Sequence, residues 1–218
     1  MRTRKKKWTD SELAQSKIIK FYDDAVTQKG KWHDFFETTD DIFLEIGCGK
    51  GRFSCEMSKK GKFMIALERD SKVIACASRL ARTSYDSPQN LIFVNAEAEK
   101  ISEIFAEHEL SGIFMNFSDP WEGGKKLEKK RLTHNGFLEN YSKILRPGGI
   151  LSFRTDNAAL FEFSIKQLKE SRFEIIRISE DFHSEPYFGE TPMTEYEIKF
   201  AALGNKIHYV ECKMKALG

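Results

Sequence analysis

The stretch Ile42-Phe-Leu-Glu-Ile-Gly-Cys-Gly-Lys-Gly-Arg52 runs from an apolar segment directly into a glycine-rich loop. Glycines let the backbone turn sharply and approach a ligand, and the N-terminus of a following helix favours binding there. The spacing Gly47-x-Gly49-x-Gly51 matches neither the dinucleotide fingerprint G-x-G-x-x-G nor the P-loop G-x-x-x-x-G-K-[ST]. The stretch therefore predicts a strand, a ligand-binding loop and a helix, in that order.

Two acidic residues narrow the choice of ligand. Glu45 lies at the junction of strand and loop, where a carboxylate would repel a pyrophosphate but could hold an ammonium group. Glu68 ends the next apolar run, and an acid at that place suits the two hydroxyls of a ribose. An adenosyl ligand with ammonium and sulfonium charges and no phosphate satisfies both conditions. The pattern therefore points to S-adenosylmethionine, with Gly47 and Gly49 as further cofactor-binding residues.

From residue 42 onward, apolar runs alternate with stretches of helical periodicity, which indicates βαβ units and a mostly parallel sheet. The seven predicted strands are Ile42–Ile46, Phe63–Glu68, Leu91–Val94, Ile113–Phe117, Ile150–Arg154, Phe173–Ser179 and Ile207–Lys213. The predicted helices span residues 51–60, 71–84, 99–108, 133–145, 157–170 and 194–203. Asp70 and Thr133 are expected helix N-caps. The last strand follows a helix and Gly204-Asn205, so we expect it to enter antiparallel.

The composition is that of one globular domain with an extension. The chain has 218 residues, of which 40% are hydrophobic and 31% charged, enough for a full core. We assign residues 41–218 to the domain and the basic, aromatic residues 1–40 to an N-terminal extension.

The sequence gives no sign of export, a membrane span or a metal. The basic start is followed by the polar residues Thr9–Glu12 rather than an apolar region, and no apolar run reaches membrane-spanning length. The four cysteines form no C-x-x-C pair, and the five histidines show no ligand spacing. We therefore expect reduced thiols, a cytoplasmic location and no structural metal.

Positive charge is concentrated in two short segments. Residues 1–7 contain five basic residues and no acid, and residues 125–131 contain five more beside Glu128 alone. Outside these segments 25 basic residues face 32 acidic ones. Basic segments on an acidic body can engage a phosphate backbone without a high overall charge, so the pair favours a nucleic-acid partner. Taken alone, the N-terminal run could equally be a solvated tail.

The second basic segment follows a candidate site of chemistry. In Asn116-Phe-Ser-Asp-Pro-Trp121, Ser118 and Asp119 lie where a buried-looking strand ends and a loop begins. Ligands of open α/β sheets bind at the carboxyl ends of strands, so this acid is a candidate site residue. An aspartate before proline is also common in ordinary turns.

These motifs resemble those of the bacterial tRNA (guanine-N7)-methyltransferase family, and the resemblance extends over essentially the whole chain. The matching blocks are Met1-Arg-x-Arg4 with Trp8, Lys29-Gly-Lys-Trp32, Leu44-Glu-Ile-Gly47, Asn116-Phe-Ser-Asp-Pro-Trp121 with Lys129-Lys-Arg-Leu-Thr133, Gly148-Gly149 leading to Thr155-Asp-Asn157, and Thr194-Glu-Tyr-Glu-x-Lys-Phe200. The glycine loop marks only the wider class of S-adenosylmethionine-dependent methyltransferases.

The resemblance implies a Rossmann-like class I methyltransferase fold with helices on both faces of the sheet. It implies methyl transfer from S-adenosylmethionine to N7 of a variable-loop guanine in tRNA, and leaves monomer and homodimer open. Asp119 would be the catalytic residue and, with Glu97, would also contact the cofactor. The implied substrate-binding residues are Lys125, Asp156, Thr194, Glu195, Tyr196 and Glu197. The implied RNA-contacting residues are Lys126, Lys129, Lys130 and Arg131.

The chain departs from the family pattern after Trp121. The family usually continues with Pro-Lys-Lys-Arg-His, whereas Glu122-Gly-Gly-Lys125 stands here in a loop one residue longer. Lys125 is our choice for the substrate-contacting lysine. Glu97 takes the place of a usual aspartate.

The target chemistry suits these residues. Guanine N7 attacks through a lone pair that carries no proton, so the enzyme must align the reactants and stabilise the cation formed on the purine. Carboxylates can accept the N1–H and N2–H of guanine and so select it over adenine. Thr194 and Glu197 also fit a capping box, and both roles can hold at once.

Two alternatives remain open at this stage. One is a methyltransferase acting on an exocyclic amino group of RNA or DNA, because Asn116–Trp121 also resembles the Asp-Pro-Pro-Trp/Tyr loop of such enzymes. The other is a non-catalytic RNA-binding protein with the same fold.

Overall fold

The computed structural model describes residues 6–201 and 203–216, in two compact units, Met1–Phe105 and Ala106–Gly218. The start of the basic N-terminal run, residues 1–5, lies outside the described residues.

The first unit has a parallel sheet of four strands. Its elements are α1 (Thr9–Gln15), β1 (Ile19–Phe21), α2 (Tyr22–Val26), α3 (Trp32–Phe36), β2 (Ile42–Ile46), α4 (Arg52–Lys59), β3 (Phe63–Glu68), α5 (Ser71–Ser84), β4 (Leu91–Asn95), a 3-10 turn (Ala98–Lys100) and α6 (Ile101–Ile104). The strand order is β1-β4-β3-β2, and each neighbouring pair is parallel. The carboxyl ends of β2, β3 and β4 therefore meet at one edge.

Local sequence explains these elements. Strands β3 and β4 are near-continuous apolar runs, with Met64–Leu67 and Leu91–Val94 buried, as expected for strands covered on both faces. Helix α5 buries Ile74, Ala77 and Ala81 at helical spacing. Its predicted cap is confirmed, because the Asp70 carboxylate accepts the N–H of Lys72 at 2.8 Å.

Part of the N-terminal segment is integrated into this unit. Strand β1 pairs with β4, and Trp32 is fully buried with its indole N–H donated to the Ile104 carbonyl at 3.1 Å. Strand β1 was not predicted and brings the described strands to eight. A strand of three residues is too short to show a recognisable pattern of alternating apolar and polar residues. The domain division at residue 41 stays a prediction.

The second unit has a mixed sheet. Its elements are β5 (Leu110–Asn116), α7 (Lys125–Glu128), α8 (Asn135–Ile144), β6 (Leu145–Thr155), α9 (Ala158–Lys169), β7 (Phe173–Ser179), a 3-10 turn (Phe182–Ser184), α10 (Glu195–Ala201) and β8 (His208–Met214). Its strand order is β5-β6-β8-β7; β5 and β6 are parallel. Strand β8 is antiparallel to both neighbours, which confirms the expected direction of the last strand.

Two local predictions were wrong. The helix predicted over residues 99–108 ends at Ile104, and the chain then turns toward β5 with the Glu109 carboxylate accepting the N–H of Ala106 at 2.8 Å. Thr133 does not cap α8. Its buried hydroxyl bonds that of Ser164 at 2.7 Å, and the His134 ring accepts the N–H of Gly136 instead.

Candidate functional site

The glycine loop after β2 is fastened to the end of β3. The N–H groups of Gly47 and Cys48 both donate to the Leu67 carbonyl, at 2.8 and 3.0 Å. Gly47, Gly49 and Gly51 have φ of 75°, 56° and 81°, in the left-handed region that glycine enters without strain. The loop therefore has a backbone conformation that would be strained with any residue other than glycine at these three positions.

Glu68 at the end of β3 organises the same loop. One carboxylate oxygen accepts the N–H of Gly49 at 3.2 Å, and the other accepts that of Asp70 at 2.9 Å. Burial raises the pKa of the Glu68 carboxyl, while these two N–H groups lower it in part. The half-buried carboxylate is thus held at the loop, where it can accept hydrogen bonds from ligand hydroxyls.

Glu45 lies deeper. Its side chain is 2% exposed, and the Ser54 hydroxyl of α4 donates to it at 2.5 Å. Burial, and then the negative charges of Glu45 and Glu68, raise the pKa of the Cys48 thiol well above its usual value. Cys48 is therefore a protonated thiol at neutral pH.

Glu97 is exposed and directly precedes the 3-10 turn after β4. Glu45 near the end of β2, Glu68 as the last residue of β3 and Glu97 just after β4 thus lie at the carboxyl ends of three neighbouring parallel strands. An edge with three carboxylates beside a glycine loop suits a ligand with positive charge and hydroxyl groups. Five of the six residues predicted to bind the cofactor, all except Asp119, lie in the first unit at or beside this edge; their contact with the cofactor stays a prediction.

In the second unit, residues 117–121 follow β5 and form a turn that contains Asp119, called the acidic turn below. Its backbone is unusual. Phe117 and Trp121 have φ of 55° and 42°, and such left-handed non-glycine residues cost about 1–3 kcal/mol each and are often found at functional sites. The N–H of Phe117 donates to the Arg154 carbonyl of β6 at 2.9 Å. Asp119 is exposed between the two strained residues.

Several predicted substrate residues lie together near this turn. The Tyr196 hydroxyl donates to the Asp156 carboxylate at 2.9 Å, and its ring lies 5.0 Å from that of Phe117 and 4.0 Å from that of Phe200. Burial, followed by the bond to Asp156, raises the pKa of Tyr196 to about 12. Phe117 was not predicted to be a site residue, because the apolar strand pattern runs through it.

The predicted capping box is confirmed. The Thr194 hydroxyl accepts the N–H of Glu197 at 3.0 Å, and the Glu197 carboxylate accepts the N–H of Thr194 at 3.3 Å. The Glu197 side chain is fully buried and forms an ion pair with Arg154 at 3.0 Å. Glu195 is exposed. The prediction that these residues contact substrate stays open.

The basic segment consists of the short helix α7 and the residues after it. Lys125, Lys126, Lys129 and Lys130 are all exposed, and the Lys130 ammonium lies 4.7 Å from the Trp121 ring centre. The Arg131 side chain differs, because its Nε donates to the Pro120 carbonyl at 2.8 Å and its guanidinium lies over Phe163. Arg131 therefore stabilises the acidic turn through its hydrogen bond to Pro120. Its predicted contact with RNA stays a prediction.

Two further findings on the described residues concern membrane-spanning helices and metal-binding groups. No helix within residues 6–201 and 203–216 is both long and apolar enough to cross a membrane. Within the same ranges, no three His, Cys, Asp or Glu side chains form a group that could hold a metal ion.

Comparison with known proteins gives consistent matches. A family model described as "Putative methyltransferase" matches residues 39–210. A tRNA (guanine-N(7)-)-methyltransferase of Brevibacillus brevis is 39% identical over 92% of this chain and 94% of its own. A relative of the same name from Clostridium novyi is 38% identical over 99% of this chain and all of its own.

Solved structures show the fold. A 16S rRNA methyltransferase, KamB, has a TM-score of 0.63 at 12% identity, covering 86% of this chain and 94% of its own. A geranyl diphosphate C-methyltransferase from Streptomyces coelicolor, solved with S-adenosyl-L-homocysteine, has a TM-score of 0.56 at 14% identity, covering 81% and 70%. These likenesses confirm the methyltransferase fold predicted from the sequence.

Proposed function

Since the chain belongs to the tRNA (guanine-N(7)-)-methyltransferase family, we propose that it transfers a methyl group from S-adenosylmethionine to N7 of a guanine in tRNA. The observation that carries the proposal is the 38% identity to a relative of that name over 99% of the chain. We extend the proposal to a guanine of the variable loop and to a cytoplasmic location.

The residues of the first unit fit this cofactor. Glu68 would accept hydrogen bonds from the ribose hydroxyls, as acids after the second strand of such sheets do. Glu45 would offset the positive charge of the ligand, and the turn of the glycine loop, where Gly47 and Gly49 face open space, would let the ligand approach the backbone. Glu97, which is exposed, would accept from the adenine amino group. When bound, the cofactor supplies an electrophilic methyl group on a sulfonium.

Asp119 would align the acceptor and offset its developing charge. Guanine N7 has no proton to lose, so no general base is required. Methyl transfer would leave positive charge on the purine, and Asp119 would be the residue that offsets it. A carboxylate held near the purine stabilises that cation, and a preorganised charge of this kind contributes directly to rate.

Guanine recognition would fall to the polar residues of the second unit. Asp156, Thr194, Glu195 and Tyr196 supply oxygen acceptors near the acidic turn, which suit the N–H donors of guanine. Lys125, exposed at the start of α7, would contact the substrate from the basic segment. A direct contact by Glu197 also stays a prediction, although its carboxylate already has several protein partners.

The nucleoside digest is the deciding experiment. The protein is incubated with unmodified tRNA and methyl-labelled cofactor, and the tRNA is digested to nucleosides. We expect labelled 7-methylguanosine. Labelled N6-methyladenosine would instead favour the exocyclic amino alternative. Absence of any labelled nucleoside, together with no cofactor binding in calorimetry, would favour the non-catalytic alternative.

The four exposed lysines of the basic segment are expected to bind the tRNA backbone. Changing Lys125, Lys126, Lys129 and Lys130 to glutamine should weaken tRNA binding, while cofactor affinity is unchanged. Each lost phosphate contact should reduce the slope of log affinity against log salt by about 0.7–0.9. Arg131 is kept, because it braces Pro120.

The matched control changes four exposed lysines of the same unit outside the segment, namely Lys143, Lys166, Lys169 and Lys213. It removes the same charge and should leave the slope closer to that of the parent protein. Equal slopes for the two variants would mean that only net charge matters and would remove the segment from the proposed interface.

A further inference from the structure

The Arg154 side chain joins three points of residues 191–197, a segment that runs from a loop into the first turn of α10. It is fully buried near the end of β6. One terminal nitrogen donates to Glu197 at 3.0 Å and to the Pro192 carbonyl at 3.1 Å, and the other donates to the Thr191 hydroxyl. Its guanidinium also lies 4.5 Å from the ring centre of Phe182. A planar fork with several donors can hold such divergent acceptors, whereas a single ammonium cannot.

The Glu197 carboxylate also has several hydrogen-bond partners within the protein. One oxygen accepts from Arg154 and from the N–H of Thr194, and the other lies 2.9 Å from Nε2 of His183. The side chain is fully buried. A base could reach this carboxylate only if one of these partners gave way.

The backbone of Arg154 also connects residues 191–197 to the acidic turn. Its carbonyl accepts the N–H of Phe117, two residues before Asp119, and Asp156, two residues further along, accepts the Tyr196 hydroxyl. Buried ion pairs are weak stabilisers relative to apolar packing, so conformational specificity is the better explanation for this one.

We propose that Arg154 is a positioning residue that orders residues 191–197 for guanine binding, with Glu197 as its buried anchor rather than a contact of the base. The inference rests on the proposed function and gives Glu197 a role different from that implied by resemblance. This segment presents Thr194, Glu195 and Tyr196 to the substrate only while the Arg154 guanidinium holds it.

The test compares the parent protein with Arg154→Met, Glu197→Gln and the double variant. Each single variant should raise KM for tRNA at least tenfold and lower kcat, with the cofactor Kd within twofold of the parent value. The double variant should be no worse than the worse single one, because two residues acting as a unit are not additive. Multiplying effects, or a lower Tm with unchanged KM and kcat, would overturn the proposal.

Arg154→Lys covers the case in which Arg154→Met fails to fold. It keeps a positive charge beside Glu197 but loses the fork, so KM for tRNA should still rise several-fold. The matched control is Arg172→Met, which removes an exposed arginine of the same unit and should leave KM nearly unchanged. A lysine variant that behaves like the parent would refute the need for the fork.

Amide hydrogen exchange separates this inference from the proposed function. In Arg154→Lys the amides of residues 191–197 should exchange at least tenfold faster than in the parent protein, while those of β5 are unchanged. This readout needs no activity. If the parent protein made no 7-methylguanosine, the proposed function would fail while the ordering role was still measured; unchanged exchange would reject the ordering role itself.

Discussion

Asp119→Asn is expected to lower kcat about 10²–10³-fold, the usual loss when one preorganised electrostatic group is removed from a reaction site. Asparagine has nearly the same shape but no charge to offset the cation formed on the purine. Because Asp119 is exposed in a loop, the free energy of unfolding should change by less than about 0.5 kcal/mol. Single-turnover methylation and urea denaturation measure the two quantities.

The control is Asp40→Asn, an exposed aspartate outside the proposed site. It should leave both kcat and stability near the parent values. Near-normal turnover of Asp119→Asn would remove Asp119 from the mechanism. A weaker cofactor Kd with unchanged single-turnover rate at saturation would instead limit its role to holding the cofactor.

Much of the fold could be predicted because its signals are local. Strands β2 to β8 are apolar or alternating runs, and each overlaps its predicted range, although β6 begins at Leu145 rather than at the predicted Ile150. The Asp70 cap and the Thr194–Glu197 capping box are also visible, since both depend on residues within three positions of each other. Strand β1 was missed because its pairing with β4, not its own sequence, defines it.

The arrangement of the candidate site could be predicted only in part. The rule that ligands bind at the carboxyl ends of strands singled out Glu68 and Asp119, which lie at the end of β3 and in the loop after β5, whereas Asp156 came from the family resemblance; the ligand contacts of all three stay predictions. The contacts that hold the site were less accessible, because they join distant residues. Arg154 and Glu197 are 43 positions apart, and the bond from Arg131 to Pro120 depends on how the long loop folds back. Thr133 illustrates the same limit, since a partner 31 positions away, Ser164, takes its hydroxyl.

Gly51→Ala is expected to lower the free energy of unfolding by about 2–5 kcal/mol and to weaken cofactor binding. Gly51 has φ of 81°, where a non-glycine residue costs about 1–2 kcal/mol. An added Cβ would also lie 2.8 Å from Cβ of Ala77 in α5 and 2.8 Å from the Phe93 ring in β4. Forcing a methyl group into such packing adds about 1–3 kcal/mol. Urea denaturation and calorimetry with the cofactor provide the measurements.

Gly61→Ala is a close control for this change. Gly61 lies in the same unit and has φ of 82°, but an added Cβ there meets nothing within 4 Å. It should therefore lose only the backbone contribution of about 1–2 kcal/mol and keep the parent cofactor affinity. Equal losses in the two variants would show that the neighbours of Gly51 yield without cost. A larger loss at Gly51 would explain why a glycine stands at position 51, one residue before the third glycine of the G-x-G-x-x-G fingerprint. A glycine at this position lets the start of α4 pack closely against α5 and β4, whereas Gly47 and Gly49 face open space.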